Sequence, residues 1–391
     1  MVIRLFFIGR TLPELLEMSQ TFNMHRGLHS SLECGFSDAM QRMLLALVVL
    51  LNWDVSAQEA RGLDIYWVDV EGGAATLIVT PAGQSILIDS GNPGTRDAGR
   101  IHAVATKQAG LKKIDFLITT HFHGDHFGGA APLSQLMPIG IVYDNGIPAR
   151  NPDRNRQDPA FILKVKPYKE MKVDARVVAK PGMVLPLKQI NGNAKASLTF
   201  VVAARKFIDV PRRGVKKNPL TGTVPAKPED LSDNANSVAS LLELGGFRFL
   251  DCGDLTWNME AKLVTPINRI GTVDVYQVNH HGLASSNNPL LIQSIAPTVS
   301  VMNNGHTKGC TPSAFAALKS AKSIKAMYQV HRNLRPDGKQ NNTANEFIAN
   351  LSAPAECKAF ALKMSVAADG KSYTISNPRN GQKHTFKTSK H

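Results

Sequence analysis

Ile118-Thr119-Thr120-His121-Phe122-His123-Gly124-Asp125-His126-Phe127-Gly128-Gly129 places three histidines and one carboxylate within six residues. His121 and His123 are two positions apart, so on an extended segment both point to one side. Gly124 lets the backbone turn sharply before Asp125 and His126. One loop can therefore aim two imidazoles at one metal, and a carboxylate with an imidazole at a second. Nitrogen and oxygen ligands of this kind suit zinc, with manganese or iron as alternatives. The run Asp115–Ile118 before the loop reads as a buried strand. Gly128-Gly129-Ala130-Ala131-Pro132-Leu133 after it reads as a helix start packed closely against something. Strand, ligand loop and helix in that order are where an α/β fold keeps its chemistry, at the carboxyl end of a strand. The chain has 12 histidines in 391 residues, so three within six argue against ordinary surface positions. A structural zinc site favours cysteine, and none lies nearby.

The motif HxHxDH after a hydrophobic strand resembles the metal loop of the metallo-β-lactamase fold superfamily. Further stretches resemble that superfamily in the same order. Ile88-Asp89-Ser90-Gly91 closes a strand where the superfamily carries an aspartate that supports the metal loop. Asp233-Asn234-Ala235-Asn236-Ser237, then Phe247–Cys252 and Gly253-Asp254, resemble the competence (ComEC-like) DNA-uptake hydrolase branch, as does Asn279-His280-His281-Gly282. The resemblance implies an α/β fold, an αββα sandwich of two mixed sheets flanked by helices. It implies metal ligands at His121, His123, Asp125, His126, Asp254 (the bridging position) and one of His280 and His281. Asp254 could instead cap the helix that follows. The resemblance further implies a metal-activated water as nucleophile, with Asp125, His281 and His306 as candidates for catalytic roles. Asp89 is expected behind the ligands.

Classical members carry another ligating histidine between the metal loop and the bridging aspartate. This chain has no histidine between His126 and His280. Asn236 is the residue expected in that space, holding a water or a substrate oxygen, since a neutral amide is a poor zinc ligand. The departure puts a fully loaded two-metal state in doubt, so one or two zinc ions are expected, with manganese as the alternative.

Charged residues make up 19% and hydrophobic residues 43% of the chain, a globular composition. The net charge of +14 favours anionic partners. The basic stretch 204–232 contains Arg212, Arg213, Lys216 and Lys217, broken by prolines and glycines. It could line a channel for a phosphate backbone, or it could be a solvated loop. The expected substrate is therefore an anion or ester, with phosphodiesters first and nucleic acid among them. A β-lactam or lactone hydrolase is the alternative, and a non-catalytic metal-binding module is an alternative of another class.

Residues 1–57 read as a leader. Arg42 followed by Leu44–Leu51 and then Val55-Ser56-Ala57 has the form of a secretory signal over 40–57. The apolar run is too short for a membrane span, and a short buried helix is the other reading. A signal places the mature chain in the periplasm or outside the cell, with no membrane-spanning segment. Residues 58–335 read as the hydrolase-like domain, with an irregular insertion at 138–196. Residues 336–391 read as a C-terminal extension packed on that domain. Of four cysteines, Cys34 lies in the leader, and Cys252, Cys310 and Cys357 allow at most one disulfide.

Overall fold

The computed structural model describes residues 61–154, 158–210 and 216–389. The leader, with its signal reading, lies outside the described residues. In β1 (Leu63–Trp67) the side chains alternate between two environments. Leu63, Ile65 and Trp67 face one core, whereas Tyr66 faces another. That period of two fixes the strand as the wall between two layers. β2 (Thr76–Val79) and β3 (Ser85–Ile88) follow antiparallel, and β4 (Ile114–Ile118), β5 (Ile139–Asp144) and β6 (Ala175–Val178) continue in parallel.

The second sheet contains β7 (Ala196–Ala203), β8 (Lys206–Phe207), β9 (Ala239–Leu244), β10 (Phe247–Asp251), β11 (Val275–Gln277), β12 (Val299–Met302), β13 (Ala326–His331) and β14 (Ile348–Asn350). Its order is β14-β13-β12-β11-β10-β9-β7-β8, parallel from β10 to β14 and antiparallel on the other side. The chain then returns to the first sheet with β15 (Leu362–Val366), β16 (Ser372–Asn377) and β17 (Gln382–Lys387), giving the order β17-β16-β15-β1-β2-β3-β4-β5-β6.

The sheets meet face to face. Trp67 packs edge-on against Phe249 at 5.9 Å, and its indole N–H donates to Gln277 Oε1 at 2.8 Å. Full burial of each such side chain contributes about 1.5–3 kcal/mol. Helices α1 (Thr95–Ala103), α2 (Ala130–Leu136) and α3 (Phe161–Glu170) cover the first sheet. Helices α4 (Trp257–Val264), α5 (Pro289–Ile295) and α6 (Pro312–Ser320) cover the second. The result is the expected αββα sandwich of two mixed sheets.

Two expectations need correction. The stretch 138–196 is not an irregular insertion, because it supplies β5, α3 and β6 to the first sheet. Its many prolines and lysines hid two short parallel strands, β5 inside the sheet and β6 at its edge. Nor is the tail an extension packed on a finished domain. β15 is hydrogen-bonded directly to β1, from Leu63↔Val366 to Trp67↔Leu362. A short 3-10 turn at Asn345–Phe347 leads into β14. All three cysteines among the described residues are free thiols. No helix among the described residues is long and apolar enough to cross a membrane.

Candidate metal centre

The strand ends bring the ligand-type residues together. β4 runs into Thr119-Thr120-His121, and one helical turn, Gly124–Phe127, carries Asp125 and His126. This turn sits hard against the loop after β3. A Cβ on Gly129 would lie 1.9 Å from Ser90 O, so only glycine fits there. β10 delivers Asp254 through Gly253, whose φ is +53° and whose Cβ would meet the Thr120 side chain at 2.8 Å. β11 delivers His280 and His281, both in the left-handed region with φ of 52° and 55°. Such backbone costs of the order of 1–3 kcal/mol per residue and clusters at functional sites.

Asp254 Oδ2 is the hub. It lies 3.1 Å from His126 Nε2, 3.3 Å from His280 Nε2, 3.5 Å from His281 Nε2 and 3.9 Å from His121 Nε2. Asp125 Oδ2 lies 3.4 Å from His126 Nε2 and 3.3 Å from His281 Nε2. The Nε2 atoms of His121, His126 and His281 are buried and make no hydrogen bond. Their other nitrogens are all occupied. His126 Nδ1–H donates to Asp89 Oδ2 at 2.7 Å, and His281 Nδ1–H donates to Asn303 O at 3.0 Å. His121 Nδ1 reaches Thr120 Oγ1 at 3.1 Å, and that hydroxyl donates to Asp89 Oδ2 at 2.8 Å. Each ring is thus held with its Nε2 lone pair inward, the tautomer that a metal needs.

Charge points the same way. Burial would raise the Asp254 carboxyl, but the imidazoles of His126, His280 and His281 outweigh it and hold it well below the carboxylate range. Burial opposes a charge on His126, yet Asp254, Asp125 and Asp89 raise it well above its ordinary value. The field at this point draws positive charge. Buried unpartnered nitrogens around two carboxylates fit a transition-metal ion. His121, His126 and Asp254 form one possible ligand set, and Asp125, His126 and His281 another.

The family model for the metallo-β-lactamase superfamily matches residues 68–182, which include the whole metal loop. The stretch that carries the metal loop is thus similar to this superfamily. A UPF0173 metal-dependent hydrolase of Cupriavidus metallidurans is 34% identical over 87 residues, 22% of this chain and 27% of that protein. The chain thus spans about a quarter of the relative's length. ComE operon protein 3 of Bacillus subtilis is 24% identical over 197 residues, half of this chain and 20% of that one. Atrochrysone carboxyl ACP thioesterase of Emericella nidulans is 29% identical over 114 residues, 29% of this chain and 36% of that one.

Some expected residues have other partners. His123 uses its Nε2 on Asp153 Oδ1 at 3.0 Å, an oxygen that also accepts the Asp233 N–H at 2.8 Å, while its ring centre lies 4.7 Å from that of His121 and leaves Nδ1 as its remaining ligand atom. Asn236 does not fill the space of the missing histidine. Its amide donates to Asp233 Oδ1 at 2.8 Å and accepts from Arg205, so it acts on the loop only through Asp233, whose Oδ2 accepts the Phe122 N–H at 2.7 Å. The neighbouring Ser237 hydroxyl stands between the ligands instead, 3.4 Å from His121 Nδ1 and accepting the Asp254 N–H at 3.3 Å. Asp254 is not a helix cap; that position belongs to Thr256. His306 lies with His331, ring centres 6.4 Å apart, and His331 is tied to Asp69 at 2.5 Å, so His306 belongs to a neighbouring cluster.

Arg212 and Arg213 lie outside the described residues. Lys216 and Lys217 are exposed beside Asn218, which is fastened to Val264 O and Ser294 Oγ. That is the far end of α4, one helix length (about 12 Å) from its start near Asp254. The sequence reading missed Lys308, whose ammonium pairs with Asp125 Oδ2, and Asp153, and it quoted Ser237 only as part of a motif, with no role of its own. Only the three-dimensional contact marks these residues out.

Proposed function

We propose that the chain is a metal-dependent hydrolase that cleaves ester-type bonds with water, phosphodiesters foremost. The observation that carries this reading is the convergence of three unpartnered Nε2 atoms on Asp125 and Asp254. A zinc or manganese ion held there supplies a Lewis acid and lowers the pKa of water toward neutrality. The chain's own residues do the rest. Asp89, Thr120 and the Asn303 carbonyl orient the rings, and Asp125 and Asp254 supply the negative charge. Lys308, 37% exposed, offers a cation beside the site to an anionic centre such as a phosphodiester. The net charge of +14 and the motif resemblance to the competence branch support the same substrate class.

A second reading is a carboxylic ester, thioester or lactone. The apolar cleft beside the metal loop favours it, and one relative is named a thioesterase. In this proposal the protein works in the periplasm or outside the cell, as the signal-like stretch 40–57 suggests.

The test is turnover by the full chain, stripped of metal and reloaded with zinc or manganese, on bis(p-nitrophenyl) phosphate, p-nitrophenyl acetate and a chromogenic β-lactam. Metal-dependent phosphodiester cleavage that disappears in Asp254→Ala is the expected result. Failure of the metal-loaded chain to cleave any ester would reduce it to a metal-binding module.

A further inference from the structure

A cleft of about 750 Å³ opens directly beside the metal loop, with His123, Gly124 and Asp125 at one end. Its floor is aromatic. Phe122, Phe127 and Tyr168 pack on one another with ring centres 5.6–5.8 Å apart, and Phe161 joins them from α3. Ala131 and Pro132 of α2 form part of the wall. The Tyr168 hydroxyl is already spent on Thr119 Oγ1 and Asp144 Oδ2, at 3.0 and 2.9 Å, so the floor offers a ligand little beyond apolar surface. The volume lies in the range of small-molecule sites, roughly 300–1,000 Å³.

Charge narrows the occupant. Among the described lining residues the one cation is Lys164, and its Nζ is held by Asp158 Oδ2 at 2.6 Å. The other charged side chains there are Asp125, Asp153 and Asp158. Among the described lining residues there is no row of cations for a polyanionic chain to track. Of the expected channel stretch, Lys216 and Lys217 stand at the far end of α4, and Lys227 is held by Ala284 O and the Trp257 ring.

We infer that this cleft holds an aryl or alkyl group attached to the scissile bond, so that the substrate is a small-molecule ester with one large apolar substituent. The inference rests on the hydrolase reading for the bond that is cut. It deepens that reading by naming what the bond is attached to, and it sets nucleic acid aside. Shape and apolar burial supply the recognition, while the polar contacts stay at the metal-loop end.

The experiment uses the metal-loaded full chain, with Ala131→Val and Ala131→Phe as graded fillings of the cleft. Ala131 is partly exposed and has no part in the metal centre. The first readout is fluorescence titration with 2-naphthol, which needs no turnover. Saturable binding is expected in the parent, weaker in Ala131→Val and at least tenfold weaker in Ala131→Phe, with metal content and melting temperature unchanged. The second is kcat/KM for alkyl p-nitrophenyl phosphodiesters and for p-nitrophenyl carboxylic esters, from methyl to hexyl. It should rise about fourfold per buried methylene, and the rise should flatten in Ala131→Phe. Equal 2-naphthol binding in all three proteins, or kcat/KM independent of chain length, overturns the inference. So does cleavage of a single-stranded oligonucleotide faster than of any hexyl ester. Binding of 2-naphthol that is sensitive to position 131, without cleavage of any ester, would uphold the ligand class and sink the hydrolase reading alone.

Discussion

The carboxylate of Asp89 holds two imidazoles at once: His126 directly at 2.7 Å, and His121 through the Thr120 hydroxyl at 2.8 Å. Its Oδ1 also accepts the Thr120 N–H at 2.8 Å. It touches no metal position itself, yet it sets which nitrogen of each ring faces inward. Asp89→Ala should therefore weaken zinc affinity by roughly 10- to 100-fold. Asp254→Ala should leave no tightly held metal, because four imidazoles converge on its Oδ2. Chelator competition followed by elemental analysis reads both. Equal loss in the two variants would show that the roles are wrongly divided.

Asp233 fastens the metal loop to the segment before β9. It is almost fully buried, and its Oδ2 accepts the Phe122 N–H at 2.7 Å. Asp233→Ala strands that buried donor, which costs about 1–3 kcal/mol. Urea unfolding should show this loss. Asn236→Ala, which removes contacts to Asp233 and Arg205 but leaves the Phe122 N–H paired, should lose less. A larger loss in Asn236→Ala would mean that the amide acts on the site directly.

The tail is predicted to be indispensable. β15 pairs along the whole of β1, and Leu362, Met364 and Val366 sit in the core between the sheets. A chain truncated after residue 357 should fail to give a cooperative unfolding transition. The milder Leu362→Ala should fold but lose about 2–5 kcal/mol, read by chemical denaturation. A truncated chain with a normal transition would restore the tail to the status of an accessory segment.

Glu260 gives a pH dependence outside the metal centre. Burial pushes its carboxyl from 4.5 up to about 7, despite donors from the Asn288 and Asn287 backbone and the Asn279 amide. The folded chain therefore binds this proton more tightly than the unfolded chain. The stability it contributes is full below about pH 4.5 and is lost as the pH rises through about 7. Between pH 5.5 and 8 the parent should lose roughly 2 kcal/mol that Glu260→Gln does not lose. Urea unfolding at the two pH values checks it. Equal slopes would place the folded pKa near the unfolded one.

Local chemistry made the metal loop legible in sequence. The spacing of His121, His123, Asp125 and His126 is a property of a few consecutive residues, and glycine at 124, 128 and 129 is a local steric signal. The alternation in β1 was legible for the same reason, since period two needs no distant partner. What lay hidden depended on contacts across the chain. β15 meets β1 about 300 residues away, and no pattern in 358–366 names its partner strand. His123 turns to Asp153 because the segment around Asp233 brings that carboxylate there. His280 and His281 are identical as letters. They differ because Asn303 O occupies Nδ1 of His281, whereas Ser285 and Ser286 meet Nδ1 of His280. Sequence by itself determined which ligand chemistries are present and the layered fold that carries them. Tertiary structure alone decided which atom of each ligand faces the hub, because that orientation is set by hydrogen-bond partners that only folding brings within reach.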